Sequence, residues 1–165
     1  MAGQFFLISI RFLGDEFHGR GDQGEPEWPP SPLRLFQALV ATNARLGNQA
    51  DKSLCWLEQQ PPPILITSYR AVIQPRGYTT YVPDNVADLV AKSWVKGGDK
   101  DISSFRSEKF IRPTLLEAND TLPALHYLWP LEEGAGIPAR DEFVAAARSI
   151  SQFGWGIDLV VADAV

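Results

Sequence analysis

The chain has 165 residues, of which 45% are hydrophobic and 21% charged, and it carries a net charge of −5. That is enough apolar material for one folded domain with a core, and too acidic a balance for a sequence-blind nucleic-acid binder. No apolar run is long enough to cross a bilayer, and one cysteine, Cys55, excludes an internal disulfide and fits a reducing cytoplasm.

The first element follows directly on Met-Ala-Gly-Gln, without a basic leader or a small-residue cleavage site, so "FFLISIRFL" reads as a strand and not a secretion signal. Phe6, Ile8, Ile10 and Phe12 form one apolar face of it, and its second face is only partly apolar. The glycine- and acid-rich "GDEFHGRGDQGEPEWPP" predicts a loop. Ser31 then suits a helix N-cap and Pro32 the first helical position. Leu33, Phe36, Leu39 or Val40, and Leu46 recur at helical spacing up to a terminating Gly47.

A second, shorter helix is expected around "KSLCWLEQQ", stopped by Pro61 to Pro63, with Cys55 in its core. "ILITSYRAVIQP" predicts one strand, and the stretch from about Arg76 to Leu122 an irregular insertion. "ALHYLWPL" predicts a strand, "RDEFVAAARSISQF" a helix, "GWG" a turn and "IDLVVADA" a last strand. The core order is βαββαβ, which points to an α+β, ferredoxin-like domain. That domain spans residues 1–165, with the insertion at about 76–122 between the second and third core strands. This fold hosts many unrelated activities, so function has to come from the site.

The charge is unevenly distributed. Residues 1–80 balance seven Lys/Arg against seven Asp/Glu, while residues 81–165 carry eight against thirteen. Inside that acidic half, "ISSFRSEKFIRPT" sets Arg106, Lys109 and Arg112 against Glu108 alone. Arg70 and Arg76 lie in a stretch without acids. Local basic segments in an acidic chain suit a specific anionic partner.

Catalytic motifs are absent: there is no Gly-x-Ser-x-Gly, P-loop, His-Glu-x-x-His or paired cysteine. His18 stands in the glycine-rich loop, where a general base for RNA cleavage could stand or a histidine could simply be solvated. His126, beside Tyr127 and Trp129, reads as packed or half-buried. His18 and His126 lack zinc-ligand spacing, and Asp15, Glu16, Asp22, Glu25 and Glu27 lack the alternation of a calcium loop. The expectation is no metal and no cofactor. Binding has more to stand on. "EWPPSPLR" offers an aromatic, a helix N-terminus and Arg34, and "SFRSEKFIR" interleaves Phe105 and Phe110 with basic residues. Phosphates and unpaired bases take such groups. Trp28, Phe105 and Phe110 could equally serve as packing anchors.

The segments "FLISIRFLGDEFHG", "EWPPSPLRLFQALVAT", "YVPDN", "HYLWP" and "GWGIDLVV", in that order through nearly the whole chain, together resemble a family. It is that of the fused CRISPR-associated proteins of type I-U systems, now I-G, in which a Cas family five domain is joined to a Cas family six domain. The resemblance implies a RAMP fold with the insertion as a projecting thumb. It also implies a cytoplasmic, non-catalytic subunit of a Cascade complex that holds the 5′ handle of the crRNA in antiviral defence. The implied partners are the crRNA, the Cas family seven backbone subunit, the large (family eight) subunit that reads the PAM, and target DNA through the assembled complex, with no membrane. By motif it puts Trp28, Ser31 and Arg34 near RNA, and Gly154, Trp155 and Gly156 in a turn that RNA backbone approaches or that only joins helix to strand. Arg106, Lys109 and Arg112 match a basic stretch of the thumb that contacts the handle or a neighbouring subunit, and Arg76 is a further candidate RNA contact. The family six endoribonuclease domain has no counterpart in these residues. The alternative expectation is a metal-independent endoribonuclease of CRISPR repeat RNA with His18 as base.

Overall fold

A computed structural model of the chain describes residues 4–67, 70–73, 76–83, 95, 106–117 and 122–165. The architecture is mixed α+β with antiparallel sheets. β1 (Gln4–Phe12) buries Phe6, Ile8, Ile10 and Phe12 almost completely, as its alternation predicts. Burying each such side chain stabilises the fold by about 1.5–3 kcal/mol. β1 lies between β8 (Ala124–Leu131) and β9 (Val160–Ala164), and β3 (Ile64–Thr67) pairs with the far side of β8. The sheet order is β3-β8-β1-β9, antiparallel throughout.

Three helices, α1 (Pro32–Arg45), α2 (Asp51–Glu58) and α3 (Arg140–Arg148), share one core with the buried face of β1. Ser31 caps α1 by accepting a hydrogen bond from the Arg34 amide, and Pro32 takes the first position, as predicted. Gly47 follows the helix with φ +84, a conformation that glycine reaches without strain. The buried row of α1 differs from the predicted one: it is Leu35, Leu39, Thr42 and Asn43, whereas Leu33 and Leu46 are exposed. Two of the four are polar and satisfied locally. Thr42 Oγ1 donates to the carbonyls of Ala38 and Leu39, and Asn43 bridges the Asp51 carboxylate and the Ala50 amide. Apolar spacing alone does not register such a row.

Cys55 is exposed and not in the core, because α2 turns Ser53, Leu54 and Leu57 inward. Ser53 Oγ donates to the carbonyls of Pro138 and Ala139, which ties α2 to the start of α3. The predicted single strand from Ile64 is two strands in different sheets. β3 ends where Thr67 pairs with Leu125, one residue from the start of β8, so its partner is used up. β4 (Arg70–Ile73) pairs instead with β7 (Thr114–Glu117), whose other neighbour is β2 (Glu16–Phe17).

The stretch 76–122 is also more regular than predicted. Besides β7 it holds β5 (Tyr78–Pro83) and β6 (Arg106–Ile111), an antiparallel pair. The chain divides into two compact units, Met1–Ile73 with Pro113–Val165, and Gln74–Arg112, and the β5–β6 pair belongs to the second. Phe105, predicted as an anchor of the insertion, lies outside the described residues.

His126 is half-buried on the second face of β8, with Nδ1 2.8 Å from Ser9 Oγ of β1. Burial, and then the charge of Arg11, holds its imidazole below the usual histidine range. The unfolded chain therefore binds this proton more readily. The stabilising contribution of neutral His126 is complete above about pH 6.5 and lost as pH falls through the lowered folded value. His126→Gln is expected to lose less stability than the unsubstituted chain between about pH 7.5 and about pH 5, measured by urea unfolding; equal losses would contradict this.

Candidate functional site

At the end of β1, Phe12 meets Phe17, Trp28 and Phe153, with ring centroids 5.5, 5.9 and 6.3 Å apart. This aromatic cluster brings together the loop after β1, the lead-in to α1 and the turn before β9. Trp28, also 5.8 Å from Phe17, is half-buried in it, so part of its indole serves packing. The Trp28–Pro29 peptide is cis. The Pro30 carbonyl accepts a 2.8 Å hydrogen bond from the buried Tyr127 hydroxyl. That phenol is pushed well above its ordinary range by burial and by the Glu27 charge, with Arg34 opposing.

Arg34, in the first turn of α1, is braced on two sides. Its Nε donates to Glu27 Oε2 at 2.8 Å, its Nη2 to the same oxygen, and Nη2 also to the Arg20 carbonyl at 2.9 Å. The second Glu27 oxygen accepts the Ser31 amide at 2.7 Å. Among the described residues Nη1 of Arg34 has no hydrogen-bond partner, so this guanidinium is fixed in place and still has a donor edge to offer.

His18, expected in a solvated loop, is 7% exposed. Its Nδ1 donates to Asp158 Oδ1 at 2.6 Å, and its main-chain amide lies 3.2 Å from both Asp158 oxygens. The Trp155 amide donates to Asp158 Oδ2 at 2.8 Å. A buried carboxylate is costly unless hydrogen-bonded, and these donors supply that. The imidazole stacks on the Trp155 ring at 6.2 Å and 28°, and the Arg20 guanidinium lies 5.8 Å from the same ring's centre. His18 Nε2 is 3.6 Å from Glu16 Oε2.

Of these residues Arg34, Phe153 and Trp155 line a cleft of about 260 Å³ between α1 and the turn before β9. Its walls include Arg34 and Gln37 on one side, and Gln152, Gly154, Trp155 and Gly156 on the other. Of the turn residues that line the cleft, the amides of Gly154 and Gly156 have no acceptor among the described residues, whereas that of Trp155 is turned inward to Asp158. The cleft thus offers hydrogen-bond donors and an aromatic edge, a set suited to an anionic, ring-bearing ligand.

Of the sequence-predicted residues, the fold brings Arg34, Gly154, Trp155 and Gly156 to this cleft, with Ser31 as the cap beneath Arg34 and Trp28 in the supporting cluster. Arg76, Lys109 and Arg112 are exposed in the second unit, where the Arg112 guanidinium lies 5.9 Å from the Phe110 ring centre. Arg106 belongs to β6, and its side chain lies outside the described residues. Among the described residues no cluster of His, Cys, Asp or Glu could hold a metal ion. Sequence reasoning missed Asp158, Glu27 and Gln37. Asp158 carried one local signal, an Asp three residues after Trp155 in a glycine turn, where a side-chain acceptor often closes the backbone.

Residues 3–165 match the family model described as CRISPR-associated protein, GSU0054 family. No curated protein matches the chain. Among solved structures, it is similar to the crystal structure of a CRISPR protein from Archaeoglobus fulgidus. The identity is 13%, the TM-score is 0.44, and the match covers 98% of this chain and 61% of that one, so this chain spans less than two thirds of that protein's length.

The two glycines of the turn differ in what they tolerate. A Cβ on Gly154, at φ +121, would meet Asp158 Oδ2 and lie 2.7 Å from the Phe17 ring, while one on Gly156 meets nothing within 4 Å. Gly154→Ala is expected to destabilise the chain by about 1–3 kcal/mol. Gly156→Ala should stay within about 0.5 kcal/mol. Urea unfolding of both variants checks the contrast.

Proposed function

The chain belongs to the GSU0054 family of CRISPR-associated proteins. From that premise we propose that it is a non-catalytic crRNA-binding subunit of a type I-G (I-U) Cascade complex, corresponding to the family five part of a family five–family six fusion. In this reading it holds the 5′ handle of the crRNA. It contacts the family seven backbone and the large family eight subunit, and meets target DNA through the assembled complex in the cytoplasm. No helix among the described residues is long and apolar enough to cross a membrane.

The observation that carries the reading is the meeting of Arg34 and Gln37 with the Gly154–Gly156 turn at one cleft. Donors without acceptors, a braced guanidinium and a half-buried indole suit an RNA backbone with a base beside it. The sheet order supports a ferredoxin-like, RAMP-type domain. Taken in chain order, the strands β1, β3, β8 and β9 alternate with helices as βαββαβ and lie side by side as second, third, first, fourth. The exposed Arg76, Lys109 and Arg112 of the second unit, with Arg106, add the charge that steers an anion.

One observation favours a second reading, a metal-independent repeat endoribonuclease. The hydrogen bond from His18 Nδ1 to Asp158 is the kind of contact that orients a catalytic imidazole. Against it, only 6% of the His18 side chain is exposed, with Trp155 stacked on the ring. Substrate would need both to move.

The test is a titration of labelled repeat-derived RNA across salt, with a scrambled control. Tight, handle-preferring binding without cleavage is expected. Lys109→Ala with Arg112→Ala should lower the salt slope by about one phosphate contact each. Gly156→Ala, which spares the fold, should weaken binding about tenfold by placing a methyl where the backbone must approach. Cleavage at a single position, abolished by His18→Ala, would favour the nuclease, and an Arg112 or Gly156 substitution without effect would remove that residue from the interface.

A further inference from the structure

We infer that Asp158 is a positioning residue for RNA: it holds the Gly154–Ile157 turn in the one conformation that faces the cleft, and His18 is its partner in this and not a base. The inference rests on the reading of the cleft as an RNA site. A turn between a helix and a strand needs no buried acid. A neutral side-chain acceptor closes such a turn without the cost of a carboxylate away from water. Here the carboxylate is 0% exposed and has no Lys or Arg ion-pair partner among the described residues, so its compensation comes from the His18 ring and from the amides whose positions it fixes. Both oxygens are occupied: Oδ1 by the His18 ring, Oδ2 by the Trp155 amide, and the two shared with the His18 amide.

Those donors come from opposite ends of the chain, 140 residues apart for His18. The carboxylate plane is therefore set by the loop after β1, and it in turn sets the Gly154–Trp155 peptide. With that amide drawn inward, the amides of Gly154 and Gly156 have no acceptor among the described residues, and the Trp155 ring is held against His18 and Arg20. A ligand docking on such a turn does not have to order it, and the saving appears as affinity. Neither Asp158 nor His18 need touch the RNA.

The experiment measures repeat-RNA affinity at several salt concentrations for the full chain, Asp158→Asn and His18→Ala, with amide exchange of the free proteins. Asparagine keeps the shape but has one acceptor oxygen for donors that occupy two. Asp158→Asn should bind about tenfold more weakly with an unchanged salt slope, because no phosphate contact is removed. Its added exchange should be confined to residues 153–158 and the His18 loop. His18→Ala retains the Trp155–Asp158 bond and should lose about threefold. If Asp158→Asn fails to fold, His18→Ala decides alone, and wild-type affinity there overturns the inference. Faster exchange in the turn with unaltered affinity overturns it too, as does a salt slope that falls with affinity, which would mean a lost contact and not a lost posture. If the unsubstituted chain binds no repeat RNA, the reading of the cleft fails first and takes this inference with it.

Discussion

The first unit depends on one face of one strand. Phe6, Ile8, Ile10 and Phe12 of β1 are all but excluded from water; β8 and β9 pair with β1, and α1, α2 and α3 share one buried cluster with those side chains. Phe6 sits at one end of the strand, 5.1 to 6.2 Å from the rings of Phe143, Trp129 and Trp56, where α2, α3 and β8 converge. Phe12 sits at the other end and gathers Phe17, Trp28 and Phe153. The two ends do different work. The first closes the core under the helices. The second gathers the loop after β1, the lead-in to α1 and the turn before β9, and the last of these lines the cleft. Ring burial of this size, reinforced by edge contacts, is a stable footing for loops that must hold a shape at the surface.

The acids of that region act on the backbone. Glu27 accepts from the Ser31 amide and braces Arg34, Glu25 accepts from the Gln23 amide, and Asp158 accepts from the amides of His18 and Trp155. Carboxylates used in this way rigidify loops that glycine would otherwise leave loose. In the proposed role, two of these acids stand near an anion site without opposing it. Glu27 is satisfied by an arginine and an amide, and Asp158 is satisfied and buried, so little of their charge faces the cleft.

Much of this was legible in the chain. Alternation located the buried face of β1, the apolar, aromatic-rich "ALHYLWPL" located β8 to the residue, and Ser31-Pro32 located the start of α1. These features depend on neighbours within a few positions, which is the range over which periodicity and capping carry information. What was missed depends on polar side-chain partners or on contacts far along the chain. The rotation of α1 follows from Thr42 and Asn43, which hydrophobic spacing scores as surface residues but which local and α2 partners satisfy. The break at Thr67 follows from where β8 begins, nearly sixty residues later. His18 looks solvated until Asp158 is placed beside it. A histidine in a glycine-rich loop has no local property that distinguishes a bridging role from a free one.

The two units pose a division of labour. The cleft of the first is built from amides, an indole and an arginine whose charge is already matched by Glu27, so its interactions are short-ranged and directional. The described basic residues of the second unit, Arg76, Lys109 and Arg112, are exposed, and exposed charges act through a field that salt screens within about 8–10 Å. In the proposed role the second unit would contribute capture and the first fit, and the two contributions respond differently to ionic strength. An overall charge of −5 is then no obstacle. In the proposed role it would suppress indiscriminate attraction, while specificity would come from the directional contacts of the cleft.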